Sequence, residues 1–363
     1  MGNVKLKELV DIFLGVTHTP EYVFDGVPFL SVKDISDGEI SFDDCKYISQ
    51  EEYDSLSEGA KPKVGDMLFC RVGTLGKPII IPEGTPLFGS FVSLGYLRNK
   101  DANRCDMNYL RYWMYSNSFW QQVNANVKGA SQVNLNTGWL SKFNVVLPEM
   151  EQQKYRIATL DQCNMIIRKR KQQIEELDNL IKARFIELFG DPIKNTQNRK
   201  TTEFVNVVKM QRGFDLPVQD RQQDGEIAVY GSNGVLDHHD IAKVQGGGVI
   251  TGRSGTIGKV FYTEGDYWPL NTTLFSVDTH GNNVVYLAYL LELFDLTRFV
   301  EGTGVPTLNR NMFHNKSIID VDLAEQKIFA EFVKQVDKSK VAVQKSLDET
   351  QKLFDSLMQE YFG

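Results

Sequence analysis

Two glycine-rich turns carry the residues of this 363-residue chain that are best suited to ligand chemistry. They are Arg71-Val-Gly-Thr-Leu-Gly-Lys77 and Arg253-Ser-Gly-Thr-Ile-Gly-Lys259. Glycine allows backbone N–H groups to approach a ligand closely, and flanking Arg and Lys side chains suit contacts to a phosphate or to a base edge. The turns are therefore interpreted either as nucleic-acid contacts or as structural hairpins with solvated charges.

Neither turn fits a known nucleotide-binding loop. In a P-loop alignment, Arg71 and Arg253 occupy the position of the first glycine. Pro78 and Val260 replace the hydroxyl residue that would bind Mg²⁺. A dinucleotide fingerprint needs a βαβ unit, which this sequence does not predict. The sequence also lacks G-x-S-x-G and H-E-x-x-H, so we predict no catalytic site, and we predict that His238-His239 lies in a surface loop.

Composition predicts a folded, reduced, cytoplasmic protein. Hydrophobic residues make up 42% and charged residues 24% of the chain. The 40 basic and 47 acidic side chains argue against a polybasic DNA binder, but they leave room for local basic patches. The sequence shows no signal peptide and no apolar run long enough to span a membrane. A zinc ribbon is not expected, because no two cysteines form a close pair, and a disulfide framework is not expected in a chain this long. The cysteines are Cys45, Cys70, Cys105 and Cys163.

The two turns belong to an internal duplication of the whole chain. They match at an offset of 182 positions, and three shorter matches follow in the same order. Each copy begins with an irregular segment rich in Gly, Val, Ile and Phe and ends with a single helical stretch. The shorter matches pair Leu135-Asn136 with Leu308-Asn309, Glu151-Gln152 with Glu325-Gln326, and Leu188-Phe-Gly190 with Tyr361-Phe-Gly363, at offsets of 173, 174 and 173.

Each helical stretch has recognisable ends. The first is predicted to begin near Pro148-Glu149, since proline suits the first helical position. It should end at Phe189, because Gly190 can adopt the left-handed cap conformation and Pro192 blocks continuation. The second is predicted to begin with a capping box at Asp322-Leu-Ala-Glu325. A helix of ~40 residues would be ~60 Å long.

Apolar residues recur every seven positions in two interleaved rows of the second helix. In the first helix the same register gives one apolar row and one mixed row, in which arginines alternate with Cys163 and Leu177. The sequence therefore predicts an α+β fold with two tandem domains at 1–149 and 191–321, each followed by a long helix at 150–190 and 322–363. We expect the helices to form an antiparallel coiled coil with pseudo-twofold symmetry. The alternative is that each helix packs on its own domain. The predicted seam comprises Leu160, Ile167, Ile174, Leu177, Ile181, Leu188, Val333, Val336, Val343, Leu347, Phe354 and Leu357.

This repeated architecture resembles the specificity (S) subunit of type I restriction-modification systems. Domains of that family end in a phrase like L-P-x-x-E-Q, which is similar to Leu147-Pro-Glu-Met-Glu-Gln152. The second copy, Val321-Asp-Leu-Ala-Glu-Gln326, lacks the proline. The resemblance covers the full chain. Other family-like phrases are Val229-Tyr-Gly-Ser-Asn-Gly234, Asn271-Thr-Thr-Leu-Phe275, Gly304-Val-Pro-Thr-Leu-Asn-Arg310 and Gln132-Val-Asn-Leu-Asn136.

The resemblance implies two target-recognition domains that each read one half of a split double-stranded DNA sequence, with the coiled coil setting the spacer. It implies no membrane partner and no cofactor on this chain. Two modification (M) subunits would carry S-adenosylmethionine, and restriction (R) subunits would use ATP and Mg²⁺. The residues expected to contact DNA are Arg71, Thr74, Lys77, Asn134, Asn136, Tyr230, Asn233, Arg253, Ser254, Thr256, Lys259, Asn309 and Arg310.

Some alternatives stay open at this point. Asn136 and Asn309 each precede a predicted strand, so a turn-forming role is about as consistent as a DNA contact. The chain could also serve as the specificity chain of a fused restriction-methylation enzyme. A third possibility is a coiled-coil scaffold that does not bind DNA.

Overall fold

The computed structural model describes residues 2–36, 38–126, 134–222, 224–302 and 306–363. The chain divides into two compact units, the first formed by Met1–Lys169 with Leu347–Gly363 and the second by Arg170–Ser346. Both are α+β. The unit boundaries differ from the four predicted segments, because each long helix contributes one part to each unit.

The first unit contains short strands, short helices and parts of both long helices. Its strands are β1 Gly2–Lys5, β2 Val10–Leu14, β3 Tyr22–Val23, β4 Val27–Leu30, β5 Ile35–Ser36, β6 Glu39–Ile40, β7 Lys46–Ile48, β8 Met67–Cys70, β9 Gly76–Ile80, β10 Gly89–Ser90, β11 Leu94–Asn99 and β12 Asn144–Leu147. Its helices are α1 Leu6–Leu9, α2 Gln50–Ser55, α3 Met107–Tyr115, α4 Asn117–Asn126, α5 Thr137–Leu140 and the start of α6 Met150–Phe189.

The second unit repeats this plan. Its strands are β13 Thr201–Glu203, β14 Lys209–Arg212, β15 Ile227–Gly231, β16 Gly234–His239, β17 Gly248–Gly252, β18 Val260–Thr263, β19 Tyr267–Pro269, β20 Thr273–Asp278, β21 Val300–Glu301, β22 Thr307–Leu308 and β23 Ser317–Ile319. Its helices are α7 Phe204–Val207, α8 Val284–Phe294 and the start of the second long helix, α9 Leu323–Phe362.

Each unit is organised around a four-stranded antiparallel sheet. The strand order is β2-β11-β8-β9 in the first unit and β14-β20-β17-β18 in the second. A second sheet has the order β10-β4-β7-β3 in the first unit and β16-β15-β19 in the second. Strands β8 and β17 are buried along their whole length, as expected for central strands covered on both faces.

The core of each unit joins the domain to both long helices. In the first unit, the Tyr109 ring of α3 lies 4.9 Å from the Phe362 ring of α9. In the second unit, the Tyr286 ring of α8 stacks 5.7 Å from the Phe185 ring of α6, and Phe185 contacts Phe329 of α9. The large aromatic side chains at these contacts are buried, and such side chains bury large apolar areas.

The helices run antiparallel within each unit. In the second unit, Lys340 Nζ lies 2.5 Å from an Asp178 carboxylate oxygen, and further along α6 the Phe185 ring lies 5.4 Å from Phe329, which is earlier in α9. In the first unit, Arg156 near the start of α6 donates 2.7 Å to the Tyr361 carbonyl at the end of α9. All twelve predicted seam residues are buried or half-buried.

The C-terminal cap of α6 has the expected geometry, whereas Glu325 of the predicted α9 capping box pairs with an arginine. Gly190 follows α6 with φ 80°, in the left-handed region. The carboxylate of Glu325, at the start of α9, instead accepts two contacts of 2.8 Å from Arg199 Nη1. This ion pair holds the chain before β13 against the start of the helix.

At the start of the long helices, the two copies align one residue differently in the structure than in the sequence matches. Gln326 accepts the Asn283 N–H and donates to the Val321 carbonyl. Gln153 makes the same pair of contacts, accepting the Asp106 N–H and donating to the Pro148 carbonyl. Gln153, and not Gln152, is therefore the counterpart of Gln326, and the offset is 173 throughout the helices.

The adjacent histidines lie in a strand and not in the predicted surface loop. His238 and His239 form the end of β16, which pairs with β15. Alternation along the strand exposes His238 and buries His239, whose ring lies 5.3 Å from Trp268.

Candidate nucleic-acid interface

The predicted turns lie at corresponding ends of the two four-stranded sheets. In the second unit, β14 and β17 end at Arg212 and Gly252, and β20 begins at Thr273. Because β20 is antiparallel to both neighbours, the loops next to these residues meet at one end of the sheet. The first unit has the same arrangement, with the ends of β2 and β8 beside the start of β11.

Backbone hydrogen bonds join these loops in the same way in both units. The Arg253 N–H donates 2.8 Å to the Thr272 carbonyl, and the Leu308 N–H donates 2.8 Å to the Arg253 carbonyl. In the first unit, the Arg71 N–H donates to the Ser93 carbonyl, and the Leu135 N–H donates to the Arg71 carbonyl. These contacts bring each glycine turn beside the segment that contains Asn136 or Asn309.

Arg71 has a structural role that the sequence did not predict. Its Nε donates 3.1 Å to the Leu135 carbonyl, and its Nη1 donates 2.9 Å to the Val92 carbonyl. Burial lowers the pKa of the Arg71 guanidinium, and the side chain ties three chain segments together. The expectation of Arg71 as a freely available DNA contact is therefore revised. Thr74 is exposed, and Lys77 is half-buried with φ 49°.

Arg253 differs from Arg71, because within the described residues its guanidinium has no hydrogen-bond or ion-pair partner. It lies half-exposed at the end of β17, with Ser254 and Thr256 also half-exposed. Lys259 is exposed, and its Nζ donates 2.9 Å to Asn233 Oδ1. The structure thus brings together two predicted DNA contacts that are separated by 26 positions in the chain.

Tyr230 is a core residue and not a surface contact. Its side chain is only 8% exposed, and burial raises the pKa of its hydroxyl. The ring packs edge-to-face on Tyr267 at 5.9 Å, in a cluster with Ile250 and Phe275. The sequence expectation is wrong here because β15 directs this side chain into the interior, while the following turn exposes Asn233.

Asn136 and Asn309 are helix caps. Asn136 Oδ1 accepts the Gly138 N–H at 2.7 Å, and Asn309 Oδ1 accepts the Asn311 N–H at 3.1 Å. Both therefore perform the turn-forming role that was left open, and their carboxamide oxygens are engaged. Asn134 is exposed and Arg310 half-exposed. The first residues of two family-like phrases, 132–133 and 304–305, lie outside the described residues.

Three side chains at this sheet end were missed by the sequence analysis. Arg212 is exposed at the end of β14. Asp215, in the loop that follows, accepts a hydrogen bond from the carboxamide of Asn271. The sequence marks Asn271–Phe275 only as a family-like phrase. Asp215 lies 56 positions before Asn271, so no local sequence signal links the two residues.

His314 contacts the start of β14 in a neutral form. Its Nε2 accepts the Met210 N–H at 3.2 Å, so this nitrogen carries no proton. Burial, together with the charges of Arg310 and Lys209, lowers the pKa of His314. The ring stacks on Phe204 and supports the start of β14.

Neither a metal centre nor a membrane span is found in the described part of the chain. No group of three or more His, Cys, Asp and Glu side chains there is arranged to hold a metal ion. No helix among those residues is long and apolar enough to cross a bilayer.

Comparison with known proteins identifies the family. A family model described as "Type I restriction modification DNA specificity domain" matches residues 2–176 and again residues 193–350. The MjaVIII specificity subunit of a type I restriction enzyme, from Methanocaldococcus jannaschii, is 26% identical over 192 residues. That alignment covers 48% of this chain and 42% of the relative's length.

Solved structures agree in fold. The S subunit of a type I restriction-modification system from M. genitalium matches with a TM-score of 0.61 at 14% identity, covering 100% of this chain and 96% of that one. A chain from a study of complex assembly and conformational transition of the type I R-M system also gives 0.61 at 14% identity, covering 99% and 97%. With two copies of the matching domain over most of its length, the chain belongs to the family of type I restriction-modification DNA specificity proteins.

Proposed function

We propose that this chain is the sequence-recognition subunit of a type I restriction-modification complex and that it reads a bipartite site in double-stranded DNA. The observation that carries the proposal is the repeated sheet end, at which a glycine turn and two further loops meet in each unit. Two similar but non-identical reading surfaces on one chain suit two different half-sites.

The second domain offers the clearer reading surface. Arg253 has the geometry to donate two hydrogen bonds to guanine, and Lys259 can contact a phosphate or a base acceptor. In the first domain, Thr74, Lys77 and Asn134 are the remaining predicted contacts, since Arg71 is engaged with the backbone. The two half-sites are thus read by different side chains.

Charge supports a division of labour with partner proteins. Residues 1–149 carry 14 basic and 18 acidic groups, and residues 191–321 carry 12 and 15. Without a basic excess, neither domain is suited to hold DNA strongly by itself. We therefore assign part of the phosphate contact, and all catalysis, to partners: two M subunits that bind S-adenosylmethionine, and R subunits that use ATP and Mg²⁺.

The test is a selection from random double-stranded DNA with the full chain and its modification subunit. The expected result is enrichment of two short half-sites separated by a fixed spacer. Methylation of an adenine in each half-site in the presence of S-adenosylmethionine would support the assigned division of labour. Enrichment of no motif would overturn the proposal and favour a scaffold without DNA recognition.

A further inference from the structure

The hydrogen bond between Asp215 and Asn271 lies on the reading surface of the second domain, and neither residue is among the DNA contacts that the sequence predicts. Asp215 is exposed and Asn271 half-exposed. Asn271 Nδ2 donates to Asp215 Oδ1. The residue after Asn271 is Thr272, whose carbonyl accepts the backbone N–H of Arg253. The pair is therefore close in the fold to Arg253, whose guanidinium has no partner among the described residues.

The loops that carry the pair are fixed by the backbone on both sides. The Phe214 N–H donates 2.8 Å to the Pro269 carbonyl, and the Gly213 N–H donates 3.1 Å to the Thr273 carbonyl. A Cβ at position 213 would lie 2.2 Å from the Leu270 carbonyl oxygen, so this close approach requires glycine. The carboxylate and the carboxamide are thus held in place before any ligand binds.

The carboxylate also determines which way the carboxamide faces. An ionised carboxylate only accepts hydrogen bonds, so Asp215 selects the NH₂ group of Asn271. Within the part of the chain that the structure describes, no group engages the Oδ1 acceptor or the second N–H donor of Asn271. One acceptor beside one donor matches the major-groove edge of adenine, which presents the N6 amino donor and the N7 acceptor.

The first domain has different chemistry at the equivalent position. Val16 bridges Phe91 as Phe214 bridges Leu270, and Ser93 accepts the Arg71 N–H as Thr272 accepts that of Arg253. These contacts make Thr17 and Val92 the counterparts of Asp215 and Asn271. Because a valine side chain offers no hydrogen bond, this reading element belongs to the second domain alone.

We propose that Asn271 reads an adenine in the half-site of the second domain and that Asp215 is its positioning residue. The inference rests on the proposed function, because it assigns a base class to one side chain of that reading surface. Arg253, beside it, suits a neighbouring guanine.

The experiment repeats the random-DNA selection with the full chain and its modification subunit, using single variants and an exchange. Asn271→Ala should reduce the preference for adenine at one base pair about tenfold and leave the other half-site unchanged. Asp215→Asn should weaken the same preference, because an amide no longer fixes the orientation of its partner. Val92→Ala in the first domain is the matched control and should not affect that base pair.

The exchange variant makes the test specific. Asp215→Asn combined with Asn271→Asp keeps a hydrogen-bonded pair but places an acceptor-only group at position 271. The preference at that base pair should change from adenine to cytosine, whose N4 amino group donates to a carboxylate. Thermal melting of each variant separates lost folding from lost reading.

Two results would overturn the inference. If the folded Asn271→Ala variant binds all DNA sequences more weakly by the same factor, Asn271 contacts the DNA backbone and not a base. If its binding and base preference are unchanged, Asn271 is not part of the interface. In both cases the wild-type chain still selects a bipartite motif, so the proposed function survives. If the wild-type chain selects no motif, the proposed function itself fails.

Discussion

At the residue scale, the two repeated arginines share one sequence pattern but differ in their side-chain contacts. Arg71 and Arg253 have the same place in R-x-G-T-x-G-K and make the same backbone hydrogen bonds. The Arg71 side chain folds back onto two carbonyls, whereas no described group pairs with the side chain of Arg253. The structure therefore gives Arg71 a stabilising role and leaves the Arg253 side chain available for the proposed recognition.

This separation predicts different effects of two identical substitutions. Arg71→Ala should lower the free energy of unfolding of its unit by about 2 kcal/mol, because it leaves the Leu135 and Val92 carbonyls without their donor. Arg253→Ala should change that free energy by less than about 0.5 kcal/mol, but it should reduce discrimination in one half-site by about 1–3 kcal/mol. Urea unfolding and DNA binding measure the two effects, and equal destabilisation by both would contradict this assignment.

The neutral state of His314 predicts a pH dependence of stability. Its folded-state pKa is lowered, so the contribution to stability is present above the unfolded pKa and is lost as pH falls. Protonation of Nε2 would remove the acceptor of the Met210 N–H. Between pH 7 and pH 5, the unfolding free energy of the wild type should fall more steeply than that of His314→Gln. Parallel pH profiles would show that His314 does not contribute.

At the element scale, each long helix is held by a buried seam and a buried glutamine near its start. Gln153 and Gln326 are both almost fully buried, and each joins the first turn of the helix to the domain that precedes it. The seam residues Leu160 and Val333 occupy equivalent positions and are fully buried. The helices therefore belong to the cores of the units and are not simple connectors.

The burial of the seam predicts a sharp difference between two positions of α9. Val333 is 0% exposed and Val341 is 70% exposed. Val333→Asp would bury an unpaired carboxylate and should cost several kcal/mol, about 3–5, or prevent folding. Val341→Asp places the same group in water on the same helix and should cost less than about 0.5 kcal/mol. Denaturant titration of both variants checks this, and equal losses would argue against the paired helices.

At the scale of the whole molecule, the duplication creates two units with separate cores. The apolar cluster around Tyr109 lies within the first unit, and the cluster around Tyr286 lies within the second. Each cluster includes aromatic residues from the end of the long helix that follows the other domain, Phe362 in the first case and Phe189 in the second.

This organisation predicts that one domain can be exchanged without altering recognition by the other, provided that the new domain packs against the end of α9. Replacing residues 1–149 by the corresponding domain of a relative should change one half-site and leave the other unchanged. The replacement should succeed only when its α3 helix presents an apolar face to Phe362, as Tyr109 does. The methylation pattern of cells that express the chimera is the measurement. A change in both half-sites would exclude two independent readers.

The sequence by itself determined the features that depend on neighbours along the chain. Heptad spacing predicted the seam, and the cap at Gly190 marked the end of the first long helix, because helical periodicity and local backbone conformation are encoded within a few residues. The order of the repeats predicted two domains of one kind.

Tertiary structure decided what depends on chain segments that return from a distance. The burial of Tyr230, the carbonyl contacts of Arg71 and the Asp215–Asn271 pair all involve residues far apart in sequence. The counterpart of Gln326 was displaced by one position for the same reason, since Glu151-Gln152-Gln153 offers two glutamines and only the packing of the helix start selects between them. The surroundings of a loop side chain are formed by elements that are distant in the chain. No periodic pattern in the local sequence therefore reveals them.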